Sequence, residues 1–296
     1  MKFGKIPQAE LKTATLHLPE DHPRTQEVLK NNGKADFKAY VGCAKWGRKE
    51  WVGLIYPPGT KDKEFLSNYV KHFNAIEMNT TFYSIKKSNV EKWKEEAPTG
   101  FKFSPKMSRG ISHIKRLKDD ARRYTDYFLD CAFAFEDHLG TSFLQMPENF
   151  AGKYLERLYD YLKELPEDYK LCVELRHESW FNDKHIFDET FAMLEEQKTG
   201  AVITDVAGRR DVLHQRLTTP VAFIRFNGYG LHDTDYQRMD EWVARIKIWK
   251  EQGLNEVYFY AHQENEKHTP YTCDYFIKQL NEACGLDLES PEFIEQ

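Results

Sequence analysis

Two opposite charges stand in an otherwise apolar stretch that runs from Leu171 to Arg176. Read at the two-residue period of a strand, Glu174 and Arg176 share one face with Cys172, while leucine and valine occupy the other face. Burying one charge alone costs several kcal/mol, so the two side chains should pair with each other, with neighbouring strands or with a ligand. The pattern indicates either a structural ion pair or a polar pocket.

The residues after this strand occupy the position of a strand-to-helix loop, and such loops carry function in parallel sheets. His177 is a candidate for proton transfer, although its parity places it on the outward face, and the alternative, slightly favoured, is that it braces the loop. Trp180 is assigned to substrate contact by stacking. The alternative, which the sequence favours, is that Trp180 packs beneath the loop.

Polar side chains also end several other predicted strands, and in a barrel of parallel strands these ends form the active site. The set comprises Glu77, Asn79, Lys106, Gln145, Asp205, Arg225, Asn227 and His262. Few such residues stand at the opposite ends of the same strands. We therefore expect these side chains to converge around one opening.

The first chemistry that this set predicts is acid/base catalysis on an anion. Lys106, Arg176 and Arg225 would form a cationic floor for a phosphate or carboxylate, and Glu77 or Glu174 would act as general base or acid. A carboxylate beside arginine has a lowered pKa, whereas burial raises it, and the sequence leaves the balance open. The catalytic candidates are Glu77, Glu174 and His177, and the substrate-binding candidates are Asn79, Lys106, Gln145, Arg176, Arg225, Asn227, Trp180 and His262.

The second chemistry is a divalent metal held by Glu77, Glu174, Asp205 and either His177 or His262. Arg176 argues against it, because a guanidinium two residues from a ligand repels a cation. The metal-free alternative is favoured, and no cofactor or metal is predicted.

The elements that would position these residues are eight predicted strands that alternate with about as many helices. This alternation is typical of a TIM (β/α)8 barrel of the α/β class. A doubly wound open sheet usually carries a glycine-rich phosphate loop after its first strand, and Gly42 to Gly47 is not one. We predict an N-terminal arm over residues 1–37, a single barrel domain over 38–284 and a tail over 285–296.

The composition of the chain indicates which kinds of binding partner are expected. The chain has 296 residues, 41% of them hydrophobic and 30% charged, with a formal net charge of −5, so nucleic acid is not favoured. Five widely spaced cysteines indicate neither a disulfide framework nor a thiolate metal site. The sequence has no membrane-length apolar run and no signal pattern near Met1, so we expect a cytoplasmic protein with a small-molecule substrate and an unassigned oligomeric state.

Six ordered motifs resemble the YecE-like family, described as domain of unknown function family 72, over Tyr40 to Ala283. They are Val41-Gly42 with Trp46 and Trp51; Glu77-Met78-Asn79-Thr80-Thr81-Phe82-Tyr83; Phe101-Lys102-Phe103 with Lys106 and Ile111-Ser112-His113; Leu144-Gln145-Met146-Pro147 with Phe150; Val173-Glu174-Leu175-Arg176-His177 with Trp180; and Ile224-Arg225-Phe226. The resemblance implies a TIM barrel with a cleft at the strand ends, but it implies no reaction. The chain departs from the family pattern at Asn227-Gly228, where many members have His-Gly, and at Ala261-His262-Gln263, where many have paired asparagines.

These observations favour an enzyme that acts on a small anionic or sugar-like substrate. The alternatives are a metal-dependent phosphodiesterase that processes nucleic acid and a non-catalytic ligand-binding barrel. If the first hypothesis is right, Glu174→Gln should abolish turnover and preserve the fold.

Overall fold

The computed structural model describes residues 4–11, 14–31 and 36–295. Eight parallel strands form one sheet in the order β3-β2-β1-β8-β7-β6-β5-β4. The sheet closes between β3 and β4 through parallel bridges from Phe103 to Leu139 and from Lys106 to Phe143. The result is a barrel with helices outside it, as the alternation of strand and helix predicts.

The strands are short, with four to eight residues each, and every residue in them is buried except the first residue of β1, β3, β7 and β8. Their bounds are β1 Lys38–Cys43, β2 Ala75–Met78, β3 Lys102–Pro105, β4 Ser142–Gln145, β5 Leu171–Glu174, β6 Gly200–Asp205, β7 Val221–Gly228 and β8 Glu256–Gln263. The helices are α1 Gln8–Leu11, α2 Pro23–Lys30, α3 Phe65–Tyr69, α4 Lys87–Glu96, α5 Arg122–Phe133, α6 Leu155–Lys163, α7 Lys184–Glu196, α8 Asp233–Gln252 and α9 Thr269–Cys284. Because β5 ends at Glu174, Arg176 lies in the loop beyond it.

The inside of the barrel has an apolar layer below a polar one. The apolar layer is an aromatic-rich cluster made of Tyr40, Ala75, Phe143, Cys172, Val202, Phe223, Tyr258 and Tyr260. The polar positions lie one step farther along the same strand faces, because side chains of equal parity point the same way. A second, larger core fills the space between strands and helices.

Helix α8 begins seven residues earlier than its apolar pattern indicates. The sequence predicts a start at Asp240, whereas the helix begins at Asp233, with the ring of His232 accepting the backbone N–H of Thr234. The first turns bury two charged residues, Asp235 and Arg238, which pair with each other at 2.8 Å. Because these two inward-facing residues are charged, a prediction based only on the spacing of hydrophobic residues does not extend the helix back to its first turns.

The segment before the barrel contacts both its rim and its side. The carbonyl oxygen of Gly4 accepts from Gly208 N (2.9 Å) and from the hydroxyl of Tyr229 (2.8 Å), beside the ends of β6 and β7. Farther along, Asp21 accepts the indole N–H of Trp249 on α8 at 3.1 Å. The predicted boundaries of the arm, barrel and tail remain predictions, although β1 begins at Lys38 and α9 ends at Cys284. Within the described residues, none of the helices has the length and apolar character needed to cross a membrane.

Candidate active site at the barrel mouth

Arg225, at the centre of the site, joins two carboxylates from opposite parts of the sheet. It leaves β7 toward the barrel interior, where its Nε and Nη2 contact Glu77 at 2.7 and 2.8 Å. Its Nη1 contacts Glu174 at 2.8 Å. All three side chains are almost completely buried. The expected convergence of strand-end charges is observed for these residues.

Glu174 has two further partners. It accepts Arg176 Nε at 2.6 Å and Gln145 Nε2 at 2.7 Å. The other end of the Gln145 amide accepts Lys106 Nζ at 2.7 Å. The pairing of Glu174 with Arg176, one of the options that the strand pattern leaves open, is therefore observed in a network that extends to β3 and β4.

Glu77 is surrounded in the same way. Asn79 Nδ2 donates to its Oε1 at 2.6 Å, and the ring Nε2 of His262 lies 3.2 Å from the same oxygen. His262 also lies 3.3 Å from Arg225 Nη2. Asn79, directly after β2, and His262, in β8, thus both contact the Glu77 carboxylate.

The two carboxylates stay ionised at neutral pH. Burial alone would raise the pKa of Glu174, but Arg176 and Arg225 lower it to about 2. Burial likewise opposes ionisation of Glu77, and Arg225 with His262 holds its pKa well below its usual range. The sequence leaves open whether burial or the neighbouring arginines dominate the pKa of these carboxylates, and in the structure the effect of the arginines is larger. At neutral pH neither carboxylate is therefore a good base.

Lys106 is the group whose charge is most easily changed. Burial and the nearby Arg225 lower its pKa to about 7, against the opposing attraction of Glu174 and Glu77. Its Nζ lies 4.4 Å from the centre of the Phe82 ring and 5.8 Å from that of Phe143. A lysine with such a pKa exchanges a proton readily near pH 7.

A cavity of about 380 Å³ lies beside this network, between the loops that follow β1 and β2. Glu77 and Asn79 line it together with Trp46 and the exposed Tyr83. Its volume is within the range of small-molecule sites. The lining combines carboxylate and amide groups with aromatic faces, which suits a small polar ligand.

Two buried polar atoms near Arg225 have no protein partner in the described part of the chain. They are Nδ2 of Asn227 and Oγ1 of Thr204. Thr204 pairs with Arg225 in the sheet register, and Asn227 pairs with His262. A buried donor without a partner costs free energy, so both atoms are suited to a ligand. Sequence reasoning missed Thr204, because both faces of β6 are largely apolar and its parity did not show which face turns inward.

Two predicted residues lie elsewhere. His177 caps a short helical turn after β5, its Nδ1 accepting Ser179 N at 3.1 Å, and it has no hydrogen bond to the network. Trp180 is fully buried, donates to Phe150 O at 2.6 Å and stacks on the Phe150 ring. The fully buried ring offers no face to a substrate, so the packing alternative for Trp180 is the one observed.

Asp205 does not join the other carboxylates. It points to the outer side of β6, where it accepts Arg238 Nη1 at 3.0 Å and the indole N–H of Trp242 at 2.8 Å, and it pairs with Arg210. The proposed metal set of Glu77, Glu174 and Asp205 is therefore split between two faces of the sheet. No cluster of three or more histidine, cysteine or acidic side chains arranged as metal ligands occurs in residues 4–11, 14–31 and 36–295.

Comparison with known proteins agrees with the fold and the motifs. The UPF0759 protein YecE of Escherichia coli K12 is 26% identical over 250 residues, which cover 78% of this chain and 88% of that protein. The UPF0759 protein YunF of Bacillus subtilis 168 is 28% identical over 163 residues, covering 53% of this chain and 56% of YunF. Both names support the resemblance to the YecE-like family.

Solved structures show the same fold. A DUF72 family protein from Thermotoga maritima MSB8 matches with a TM-score of 0.61 and 22% identity, over 82% of this chain and 99% of that one. One from Enterococcus faecalis V583 matches with a TM-score of 0.62 and 17% identity, over 85% of this chain and 99% of the other. The family described as "Protein of unknown function DUF72" matches residues 40–293, and the chain belongs to that family.

Proposed function

We propose that the barrel mouth binds a small anionic substrate and that Lys106 transfers a proton during its conversion. The observation that carries this proposal is the charge balance of the network. Glu77 and Glu174 are bonded to arginines, and among the described residues no carboxylate lies within ion-pair distance of Lys106 Nζ, which is bonded to the neutral amide of Gln145. When protonated, Lys106 therefore carries a positive charge that a bound anion would neutralise in surroundings of low polarity.

This proposal gives Glu77 and Glu174 a role different from proton transfer. Each carboxylate is bonded to arginine, and its lowered pKa makes it a weak base. They fix the guanidinium groups of Arg176 and Arg225 in orientations suited to an anion, since charge-assisted hydrogen bonds have strong directional preference. Lys106, with a pKa of about 7, is the group matched to acid/base work at neutral pH.

The remaining side chains suit the orientation of a substrate with further oxygen atoms. Asn227 and Thr204 offer unpartnered donors beside Arg225. The adjoining cavity of about 380 Å³, which Glu77 and Asn79 line, has the volume of a small-molecule site. Phosphorylated or carboxylated sugars and small hydroxy acids fit this combination of charge, donors and volume.

Titration calorimetry with inorganic phosphate tests the anion site, because anion binding should pull a proton onto Lys106. At pH 7.5 an amine of pKa about 7 is only about one quarter protonated, so phosphate should bind with uptake of up to about 0.7 protons. Runs in two buffers of different ionisation enthalpy measure this number. Lys106→Met should remove the uptake, and Lys184→Met, on an exposed side chain, should keep it.

Absence of phosphate binding to the wild-type protein, or binding with an unchanged proton count in Lys106→Met, would contradict the proposal. A wider panel of phosphorylated and carboxylated sugars, monitored by thermal shift, then identifies the substrate class. Turnover of a ligand from that panel should follow the deprotonation of one group near pH 7 in wild type, and Lys106→Met should lose most of that turnover.

A further inference from the structure

We propose that the Lys106 amine also acts as a nucleophile and condenses with an anionic aldehyde or ketone to form a Schiff base at the barrel mouth. This inference rests on the proposed anion site and assigns its substrate class. It goes beyond proton transfer, because a covalent bond would form between the protein and its ligand.

The contacts of Lys106 are the first reason. Its Nζ is hydrogen-bonded to the uncharged Oε1 of Gln145 at 2.7 Å. Among the described residues no carboxylate oxygen lies within ion-pair distance of Nζ. Glu77 and Glu174 form their ion pairs with arginines instead. An amine held by a neutral acceptor can lose its proton without breaking an ion pair.

The surroundings of the amine are the second reason. Burial and a neighbouring cation are two conditions that activate a lysine as a nucleophile, and Lys106 meets both. Phe82 and Phe143 pack against the amine, and the guanidinium of Arg225 lies 5.2 Å from the centre of the same Phe143 ring. The contact with Phe82 favours the ammonium form, whereas burial and the neighbouring Arg225 lower the pKa of the amine to about 7.

The position of Lys106 is the third reason. The residue directly follows β3 at the carboxyl end of the barrel, where TIM-barrel active sites lie, and 7% of it remains accessible. The carbonyl carbon of a ligand could reach the amine tip while its anionic group contacts Arg176. The donors of Asn227 and Thr204 remain for further oxygens of the same ligand.

The reaction balances without an oxidant or a reductant. The amine lone pair attacks the carbonyl carbon, a carbon–nitrogen bond forms, and a proton passes from nitrogen to oxygen to give a carbinolamine. The carbon–oxygen bond then breaks, the hydroxyl group takes up a proton and leaves as water, and nitrogen loses its second proton. One amine and one carbonyl give one imine and one water, with the protons exchanged with solvent at the mouth.

Hydride trapping tests this step with the full-length protein. The protein is incubated at pH 7.5 with glyoxylate and sodium borohydride, which reduces an imine to a stable secondary amine, and the modified lysine is located by peptide mass mapping. Lys106 should be labelled at least about tenfold faster than the exposed Lys184, because its lowered pKa of about 7 leaves most of the Lys106 amine neutral at pH 7.5. Inorganic phosphate should slow the labelling, and acetaldehyde, the uncharged aldehyde of equal carbon number, should label Lys106 more slowly than glyoxylate.

Two variants complete the design. Lys106→Arg keeps the charge and should lose the adduct, while Lys102→Arg, at the start of the same strand and bonded to Asp137 O, should keep it. Labelling of Lys106 no faster than Lys184 in the wild-type protein would overturn the inference whether or not either variant folds. If phosphate binding with proton uptake persists without an adduct, the covalent step alone is wrong, and if both are absent, the anion site is wrong as well.

Discussion

Replacing Glu174 by glutamine tests whether the network at the barrel mouth holds the fold together. The carboxylate accepts Arg176, Arg225 and Gln145 at 2.6 to 2.8 Å and is fully buried. Glutamine has nearly the same shape, but it carries no charge and offers one acceptor oxygen in place of two. The two guanidinium groups would lose a buried counter-charge, and one donor would lose its partner.

Two independent arguments give the size of the effect. Removing one partner of a buried ion pair typically costs about 3 to 5 kcal/mol. The pKa of Glu174 falls from 4.5 to about 2 in the folded protein, and at 1.36 kcal/mol per unit this corresponds to roughly 3 kcal/mol. Because Arg225 keeps both bonds to Glu77, we expect the lower end of the range, about 3 kcal/mol. The sequence-based expectation that Glu174→Gln preserves the fold is therefore revised toward a clear loss of stability.

Urea unfolding of both proteins at a series of pH values measures this loss. A carboxyl group with a depressed pKa stabilises the fold above its unfolded pKa of 4.5, and this contribution disappears as the pH falls through about 2. The difference between wild type and Glu174→Gln should be complete above about pH 5.5 and fall to roughly half of that value near pH 3. Glu27→Gln, in an exposed ion pair with Arg24, is the matched control and should change stability by less than about 0.5 kcal/mol. Equal unfolding midpoints for wild type and Glu174→Gln at pH 7 would refute the reasoning.

Three further substitutions distinguish residues that take part in anion binding from residues that only stabilise the fold. Asp205→Asn should lower the free energy of unfolding by about 3 kcal/mol, because Arg238 loses a buried partner, yet leave phosphate affinity unchanged; weakened binding in calorimetry would contradict the outward orientation of Asp205. Gly42→Ala should prevent folding, since its Cβ would lie 1.9 Å from the carbonyl oxygen of Ala75, whereas Gly47→Ala makes only ordinary contacts and should fold, as circular dichroism would show. His177→Ala should cost about 1 kcal/mol through loss of its cap, and a loss of phosphate binding would instead support its sequence-based assignment as a catalytic residue.

The sequence predicted the architecture and much of the site for one physical reason. The two-residue period of a strand assigns neighbouring charges to a common face, and parallel strands of a barrel bring their carboxyl ends together. This reasoning placed the four residues Glu77, Glu174, Arg176 and Arg225 at one end of the barrel without any measured interatomic distance. It also placed Lys106 at the same rim.

What the sequence could not supply depends on register and on which face turns inward. Strands buried on both faces are apolar on both faces, so the parity of Asp205 gave no sign that it points toward α8. Arg225 and Glu77 are 148 residues apart, and their contact requires the register of the whole sheet. Thr204 was missed because a threonine in a strand is ordinary, and only its unpartnered hydroxyl makes it notable.

The sharing of Arg225 between two carboxylates restricts how this protein family can evolve. A lineage that loses Arg225 leaves the buried Glu77 without its arginine partner and removes one of the two arginine partners of Glu174, and one that loses either glutamate removes a buried counter-charge of Arg225. Such changes should therefore be inherited together. We expect related sequences either to keep positions 77, 174 and 225 as a set or to replace all three with uncharged residues.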